Sequence, residues 1–564
     1  MSEGPRKNFS DLLFEKIPPF ITFGLIIFPF VGGYVMPDIT AYFVIIFNVF
    51  FLYKSSSFVI FFALSLLKIR QAEHIDWLKR LEEIEDLDGA LAQIDQKLMH
   101  LKELGFDKEL LPQENKLKAI SPYARLVFKY ERFKVKRFLQ SERNRLRDLK
   151  QKGINYDWKA LHHIVIIPHW KEPEHVLEST ILRIKDSNYP ATKITILLGA
   201  EKRDPNGKEI SESLKQKYEQ YFENFWVNSH ELLGDEIVGK SSNMASAGKY
   251  AKTKVDELGW DYKQITVTSC DADSQIPKNY FANLTYMYVT GKDSIYKFYN
   301  AAMVLYANIW RLPFYARVKN SMSTIYNVAR LIRTDKLVPF STYTASFWII
   351  DQIGYWTPYI TPEDFHIFFK ALFRFPDKVS TLPIYQKIMA DAAEGESHLE
   401  TIKNNYFQER RWSWGISDDG WLLKNLVRKI IHLEANFTII YRSMHVIFDH
   451  IIGPVSSVII LFGGNIPLLV NPQFAATTVG INLPGISSFI IQITLYLLIL
   501  AIFLDQYLKP AKPGKKNFLR RIFYWLEWLA QPFVGLLLVA LPGIEAHTRL
   551  LFGKYLEYYL TKKK

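Results

Sequence analysis

The chain has one cysteine, Cys270, in 564 residues. That excludes an intrachain disulfide and a cysteine metal cluster, and beside two aspartates the thiol reads as strand packing rather than redox chemistry. Also lacking is a basic stripe. The net charge is +13, yet the lysines and arginines gather beside apolar segments, which favours membrane flanks and anionic lipid over DNA or RNA. No small-residue cleavage site follows the first apolar stretch, and a second comes straight after Pro37-Asp38, so a signal peptide fits poorly. The segment Gly463 to Pro484 carries no charge at all.

What is present is apolar and aromatic. Hydrophobic residues make up 49% and aromatics 15%, which suits a protein lying partly in lipid. The length predicts two or three structural units. Pro18 to Met36 and Tyr42 to Leu67 read as two transmembrane helices, with Lys68 and Arg70 marking the cytoplasmic return. Lys54, inside the second run, snorkels or faces protein, with a pathway-facing role as the alternative. Further runs cover Phe437 to Phe462, Ile486 to Leu504 and Ile522 to Leu541. The uncharged loop is then outside and the basic linker Lys509 to Arg521 cytoplasmic. A single last crossing would leave Arg549, Lys554 and Lys562 to Lys564 outside, against the charge bias. Pro542-Gly543 therefore reads as a break or re-entrant hairpin, giving six crossings, or four plus a hairpin, in preference to five.

The expected domains are residues 1–70, a transmembrane pair; 71–155, a helical insert; 156–300, a nucleotide-sugar half; 301–432, an acceptor half; and 433–564, membrane helices with a basic tail. In the insert, Leu78, Leu81, Ile84 and Leu87 recur at helical spacing. From His162 the period changes: Ile164 to Pro168, Ile194 to Leu198 and Ile265 to Val267 read as buried strands alternating with helices, an α/β pattern. Ligands in such sheets bind beyond the carboxyl ends of the strands. Trp310, Phe314, Val318, Met322 and Tyr326 recur four apart with Arg311, Arg317 and Lys319 between them. That pattern fits an interfacial amphipathic helix, with a core helix as the plainer alternative, and Pro313 would start or kink it.

Three acidic or basic motifs carry chemistry. Asp271-Ala272-Asp273 leaves a strand end, where two carboxylates suit a hard cation. Glu363-Asp364 opens an apolar segment. Acidic residues there favour the helix dipole, while the functional reading makes Asp364 a general base with Glu363 tuning it. In Gln408-Glu409-Arg410-Arg411-Trp412, Arg411 offers a fork of donors to diphosphate oxygens and Trp412 a flat face to a sugar; an amphipathic surface turn is the alternative.

This ordered set, D-x-D, E-D and Q-x-x-R-W between membrane runs, resembles the membrane-integrated family-2 glycosyltransferases: the cellulose, hyaluronan, chitin and poly-N-acetylglucosamine synthases. The resemblance runs from about Ile164 to Trp412 and extends to the membrane plan. It implies an α/β GT-A catalytic domain, a Rossmann-like mixed sheet, embedded in an α-helical transmembrane and interfacial-helix scaffold. It makes Asp273 the principal metal ligand, Asp271 a metal and diphosphate partner, Asp364 the base, Gln408 and Arg411 the diphosphate holders, and Trp412 the acceptor platform. Pro168 to Glu172 stands where the family has P-x-x-N-E, keeping Glu172 but not the Asn. Glu201 looks like the nucleobase-side Asp, and Lys240 like the lysine of a G-K-x-x-x-L-N loop. Tyr558 to Lys563 is similar to the F-x-V-T-x-K gating loop, making Thr561 and Lys563 a candidate gating tail. Pro362 departs from the Thr of T-E-D, and Phe340 to Thr344 lacks the Cys and Gly of F-x-C-G-S.

The expectation is a processive, inverting hexosyltransferase in the plasma or inner membrane. Its catalytic domain would be cytoplasmic, using a UDP-sugar or related nucleotide-diphosphate sugar with Mg2+ or Mn2+ and extruding its product. Its partners would be the donor, a glycan or lipid acceptor and membrane lipids, with no nucleic acid. The alternatives are a single transfer to a polyprenyl phosphate or glycolipid, and a non-enzymatic transporter or inactive scaffold. On the third run, Arg442, His445, Asp449 and His450 share a face and either pair structurally or line a glycan path.

Overall fold

The structure, a computed structural model, describes residues 8–103, 122–512 and 523–556. The chain folds as two compact units. One gathers Met1–His74, His162–Tyr280 and Ile295–Lys564, the other Ile75–Leu161 and Phe281–Ser294.

The first unit begins with α1 (Phe9–Val35) and α2 (Pro37–Glu73). Asn8 and Asp11 form a reciprocal capping box at the start of α1, satisfying two donors that a helix start leaves unpaired. The second unit holds α3 (Trp77–Glu83), α4 (Leu87–Glu103), α5 (Pro122–Lys152) and most of α9 (Tyr280–Thr290). Ala90, Ile94 and Leu146 form its small core between α4 and α5. Arg145 bonds Glu83 at 2.5 Å and the Tyr286 hydroxyl at 2.9 Å, which ties three of these helices together.

A seven-stranded sheet dominates the first unit, in the order β3-β2-β1-β4-β6-β5-β7. Its strands are β1 (His162–His169), β2 (Ile194–Glu201), β3 (Asn224–His230), β4 (Ile265–Ser269), β5 (Lys297–Val304), β6 (Tyr343–Ser346) and β7 (Ser380–Met389). β1 to β4 are mutually parallel where they pair, and β6 runs antiparallel between β4 and β5. Ile164 to Ile167 are wholly buried, as are Ile196 to Leu198. Such continuous apolar runs are what a sheet covered on both faces requires. The covering helices are α6 (Glu174–Lys185), α7 (Gly207–Tyr218), α8 (Lys240–Leu258), α10 (Phe314–Arg330), α11 (Phe347–Gln352) and α12 (Glu363–Arg374). Then follow α13 (His398–Ser413), α14 (Asp419–Ile431), α15 (Phe437–Phe462), α16 (Thr478–Asp505) and α17 (Phe523–Leu551). Pro313 caps α10 rather than kinking it.

Among the described residues, α1, α2, α15, α16 and α17 are long and apolar enough to cross a membrane. The hairpin expected at Pro542-Gly543 is not formed. α17 continues through both residues, with a π-helical turn over Leu536–Ala540 just before them. In the wider turn carbonyls accept from five residues on, so the carbonyl that Pro542 cannot serve need not stay unpaired and the helix need not break. The start of α17 meets α10, where Glu527 Oε2 accepts from Arg317 Nε at 3.0 Å. Its end meets the start of α1, where Lys16 donates to the Leu550 carbonyl and Tyr555 to Glu15 at 2.7 Å. α16 likewise starts earlier than its apolar run suggests, at Thr478, with Thr477 as cap and Pro484 inside the helix.

Candidate active site

The carboxyl ends of β1, β2 and β4 open on a cavity of about 960 Å3 that also reaches α10, α12, α13, α15 and α17. This volume lies within the range that encloses whole organic ligands. Pro168, Glu172, Glu201, Lys240, Asp271, Asp273, Glu363, Asp364, Gln408, Arg411 and Trp412 all line it. The described residues of the D-x-D, the E-D pair and the pentad to which the sequence assigns chemistry thus line one space, as do Asp449 and His450, whereas Arg442 and His445 do not. Thr561 and Lys563 lie outside the described residues.

Each side chain is placed for a local reason. β4 ends at Ser269, and the turn carrying Asp271 and Asp273 is pinned by Thr180 Oγ1 donating to the Ala272 carbonyl at 2.7 Å. Gly239 precedes α8 at φ 144°, a conformation that L side chains rarely adopt. The turn delivers Lys240 to the middle of the acidic set. Its Nζ donates to Asp271 Oδ1 at 2.7 Å and lies 3.0 Å from Glu363 Oε1. Burial opposes the lysine's charge, but Asp271 and Glu363 outweigh it and hold its pKa well above the ordinary value. Burial pushes the Glu363 carboxyl up to about 7, against the pull of Lys240. α12 starts at Glu363, so Asp364 sits in its first turn and accepts from the Phe365 N–H at 2.9 Å.

Ser341, in the Phe340 to Thr344 stretch that departs from F-x-C-G-S, joins the acidic groups. Its N–H donates to Asp364 Oδ2 at 3.1 Å, its hydroxyl to Asp271, and its carbonyl accepts from Lys240 at 3.1 Å. Ser341 adopts φ 58° and Lys171, which also lines the cavity, φ 63°. Such backbone is costly for residues with a Cβ and clusters at functional sites. Asp391 is unmarked by any sequence motif. β7 ends beside the D-x-D through paired Gln275–Met389 hydrogen bonds, and the Asp391 N–H then approaches Asp273 Oδ2 at 3.4 Å. No sequence signal separates Asp391 from an ordinary loop aspartate, because only the sheet brings it there.

The pentad lies on a helix, at the end of α13. Gln408, Arg411 and Trp412 stand three and four residues apart, so they share one helical face, and all three line the cavity. Arg410 points elsewhere and pairs with Glu545 of α17 at 2.6 Å. Among the described residues, Arg411 Nε is buried without a hydrogen-bond partner, a donor held where an anion would satisfy it. Trp412 is 39% exposed. Glu201 is buried against Arg203, and burial raises its carboxyl pKa despite that guanidinium. The thiol of Cys270 is buried and its pKa raised by that burial, as its packing role requires.

Further along the cavity, Lys54 of α2 donates to Asp449 Oδ1 of α15 at 2.9 Å, and His445 lies 3.3 Å from Oδ2. Asp418 and Asp419, which follow the pentad, bond His366 at 2.7 Å and His450 at 2.8 Å. The pentad's end is thereby tied to both α12 and α15. Arg442 serves a different end, donating to the Thr334 carbonyl at 2.9 Å.

Among the described residues, no cluster of three His, Cys, Asp or Glu side chains surrounds a single metal position. The carboxylates of Asp271 and Asp273 are nevertheless hard oxygen donors on the cavity wall, the chemistry that suits Mg2+ or Mn2+ when phosphate oxygens complete the shell.

No protein-family model matches the chain, and no curated protein matches it at a significant level. Among solved structures, a mannosyltransferase from Pyrobaculum calidifontis in complex with GDP-mannose and Mn2+ is similar over 62% of this chain and 88% of its own, with 12% identity and a TM-score of 0.36. Residues 1–349 of S. aureus TarS with UDP-GlcNAc align over 62% of this chain and 91% of theirs, with 11% identity and a TM-score of 0.27. At such TM-scores the functional reading rests on the site's own geometry.

Proposed function

We propose that the protein transfers a sugar from a nucleotide-diphosphate donor to an acceptor hydroxyl, with inversion at the sugar carbon, at the cytoplasmic side of a membrane. The single observation that carries the reading is the convergence of Asp271, Asp273, Asp364, Arg411 and Trp412 on one cavity from three separate stretches of sequence. Asp364 takes the acceptor proton as the new bond forms from the acceptor oxygen to C1. The C1–O bond to the diphosphate breaks, and its electron pair leaves on the diphosphate oxygen. Arg411 and Lys240 stand ready for that negative charge, with Gln408 beside Arg411. Asp273, with Asp271, would hold a Mg2+ or Mn2+ ion, which supplies charge neutralisation to the diphosphate. Glu201 and Glu172 face the nucleotide end, within a GT-A type of arrangement. A buried Glu363 with its pKa near 7 keeps the region around the base from accumulating charge.

Chain elongation is the first reading for the acceptor, because Trp412 lines the cavity beside the base and offers a platform to a sugar ring. One observation favours the second reading, a single transfer to a lipid-borne acceptor. Beyond the cavity, Ile452, Val455 and Ile459 of α15 pack with Phe47 of α2 in an apolar cluster. Because α17 starts against α10 and ends against the start of α1, four crossings with α17 laid across their foot fit the basic tail better than five.

The test uses purified full-length protein with labelled UDP- and GDP-sugars and Mg2+ or Mn2+, scoring nucleotide release and product size. A ladder supports elongation and one lipid-linked sugar supports the second reading. No nucleotide release from any donor, or undiminished release by Asp364→Asn, overturns the assignment and leaves a non-enzymatic role.

A further inference from the structure

We propose that Lys319 of α10 is an acceptor-positioning residue, whose buried ammonium fixes the Trp412 ring in the orientation that receives the acceptor sugar. This rests on the transferase reading above and names the device that shapes its acceptor end. The Lys319 side chain is 0% exposed. Its Nζ lies 4.2 Å from the centroid of the Trp412 ring, 3.1 Å from Glu409 Oε2 and 3.4 Å from Gln408 Oε1. One ammonium therefore touches three of the five residues of the pentad.

An entirely buried lysine is expensive, and an apolar residue of its size would fill the same space more stably. Nor is it needed to dock the helices. The neighbouring Asn320 already bonds Asn405 of α13 at 3.1 Å and is itself buried. What the ammonium adds is directional: a cation over the indole favours one ring orientation and leaves the ring's remaining exposed surface on the cavity it lines. A ring fixed in advance does not lose that freedom when a sugar stacks on it. The amphipathic pattern of α10 conceals this, because it groups Lys319 with Arg317, which instead pairs outward with Glu527.

The test compares wild type with Lys319→Met and with the charge-free pair Lys319→Met/Glu409→Leu. It uses labelled UDP- or GDP-hexose as donor and a disaccharide or polyprenyl phosphate as acceptor, whichever the wild type uses. In Lys319→Met the acceptor KM is expected to rise about tenfold, the scale of a desolvated cation–π contact, while the donor KM moves by less than about twofold. The double variant, which buries no unpaired charge and so keeps the test open if the single variant folds poorly, should retain the raised acceptor KM. Return of the double variant to wild-type kinetics means that Lys319 only neutralises Glu409, and overturns the proposal. So does an equal rise in both KM values. Absence of turnover by the wild type with every donor would instead be a failure of the transferase reading itself.

Discussion

Replacing Lys240 by Met tests the electrostatics at the centre of the site. Lys240 stands 2.7 Å from Asp271 and 3.0 Å from Glu363. At an effective dielectric constant of about 20, each such pair gains roughly 6 kcal/mol before desolvation is counted. Breaking a buried pair by removing one partner costs about 3–5 kcal/mol in general. The two carboxylates here differ in what remains to them. Asp271 keeps the Ser341 hydroxyl and is part-exposed, whereas Glu363 is only 6% exposed. Lys240→Met should therefore lose about 3 kcal/mol at about pH 8, most of it from Glu363.

The pH dependence fixes the sign. The Glu363 pKa is raised from 4.5 to about 7, so between those values the native state holds a proton that the unfolded chain has released. Its contribution to stability falls as pH rises through that window. Lys240 limits the rise, so in Lys240→Met the Glu363 pKa moves higher still and stability falls more steeply between about pH 6 and 8 than in the wild type. At about pH 6 Glu363 is mostly protonated and the substitution should cost less than about half as much. Thermal midpoints of the detergent-purified variants at both pH values provide the measurement, with Lys240→Met/Glu363→Gln as the closing corner of the cycle. The double variant should recover most of the loss at the higher pH. A loss that is equal at both pH values, or one that Glu363→Gln leaves unrepaired, refutes the reasoning.

Two further outcomes concern the reaction. Asp364→Asn, which keeps the shape of the side chain and removes its basicity, should lower sugar transfer by about 10²- to 10⁴-fold; nucleotide binding measured by calorimetry should stay intact. Chelation with EDTA should abolish turnover and added Mg2+ or Mn2+ restore it, while Asp273→Asn should raise the metal concentration needed for half-maximal rate.

Several parts of this molecule are legible in the sequence because they depend on local periodicity. The buried runs of β1 and β2 announce a covered sheet. The spacing of Gln408, Arg411 and Trp412 already implies one helical face. Ser341, Asp391 and Lys319 are different: Ser341 lies in the Phe340 to Thr344 stretch that departs from F-x-C-G-S, Lys319 lies inside an amphipathic pattern, and Asp391 has no marked neighbour, so none is assigned to the site by its own sequence. Ser341 meets Asp271 and Asp364 across 70 and 23 residues, and Asp391 reaches Asp273 across 118. Both juxtapositions depend on β6 and β7 joining the sheet beyond β4. Lys319 is hidden for another reason: an amphipathic pattern places a lysine outward by default, and only the packing of α10 against α13 turns it in. The continuous α17 departs from expectation because Pro542-Gly543 is a strong breaker, and the π turn that relieves it leaves no mark in composition.

The membrane end of the cavity allows a final discrimination between the two acceptor readings. Gly453 of α15 lines that end, and a Cβ built there would meet no atom within 4 Å. Gly543 of α17, by contrast, has Pro454 Cβ at 3.3 Å and would force a shift if enlarged. Gly453→Leu therefore projects a side chain into open space, while Pro454 directly after it disfavours a Cβ at 453 in helical backbone, so the thermal midpoint should fall slightly and is measured beside the products. A growing glycan that passes this point would be obstructed, and elongation should stop at shorter products while donor turnover continues. A lipid-borne acceptor that places only its head group in the cavity would instead keep the size of its one-sugar product and lose acceptor affinity. Product sizing beside acceptor titration distinguishes the two results. If Gly453→Leu is stable and neither product length nor acceptor KM changes, the acceptor does not occupy the foot of the helices, and the cavity's membrane end has no part in its binding.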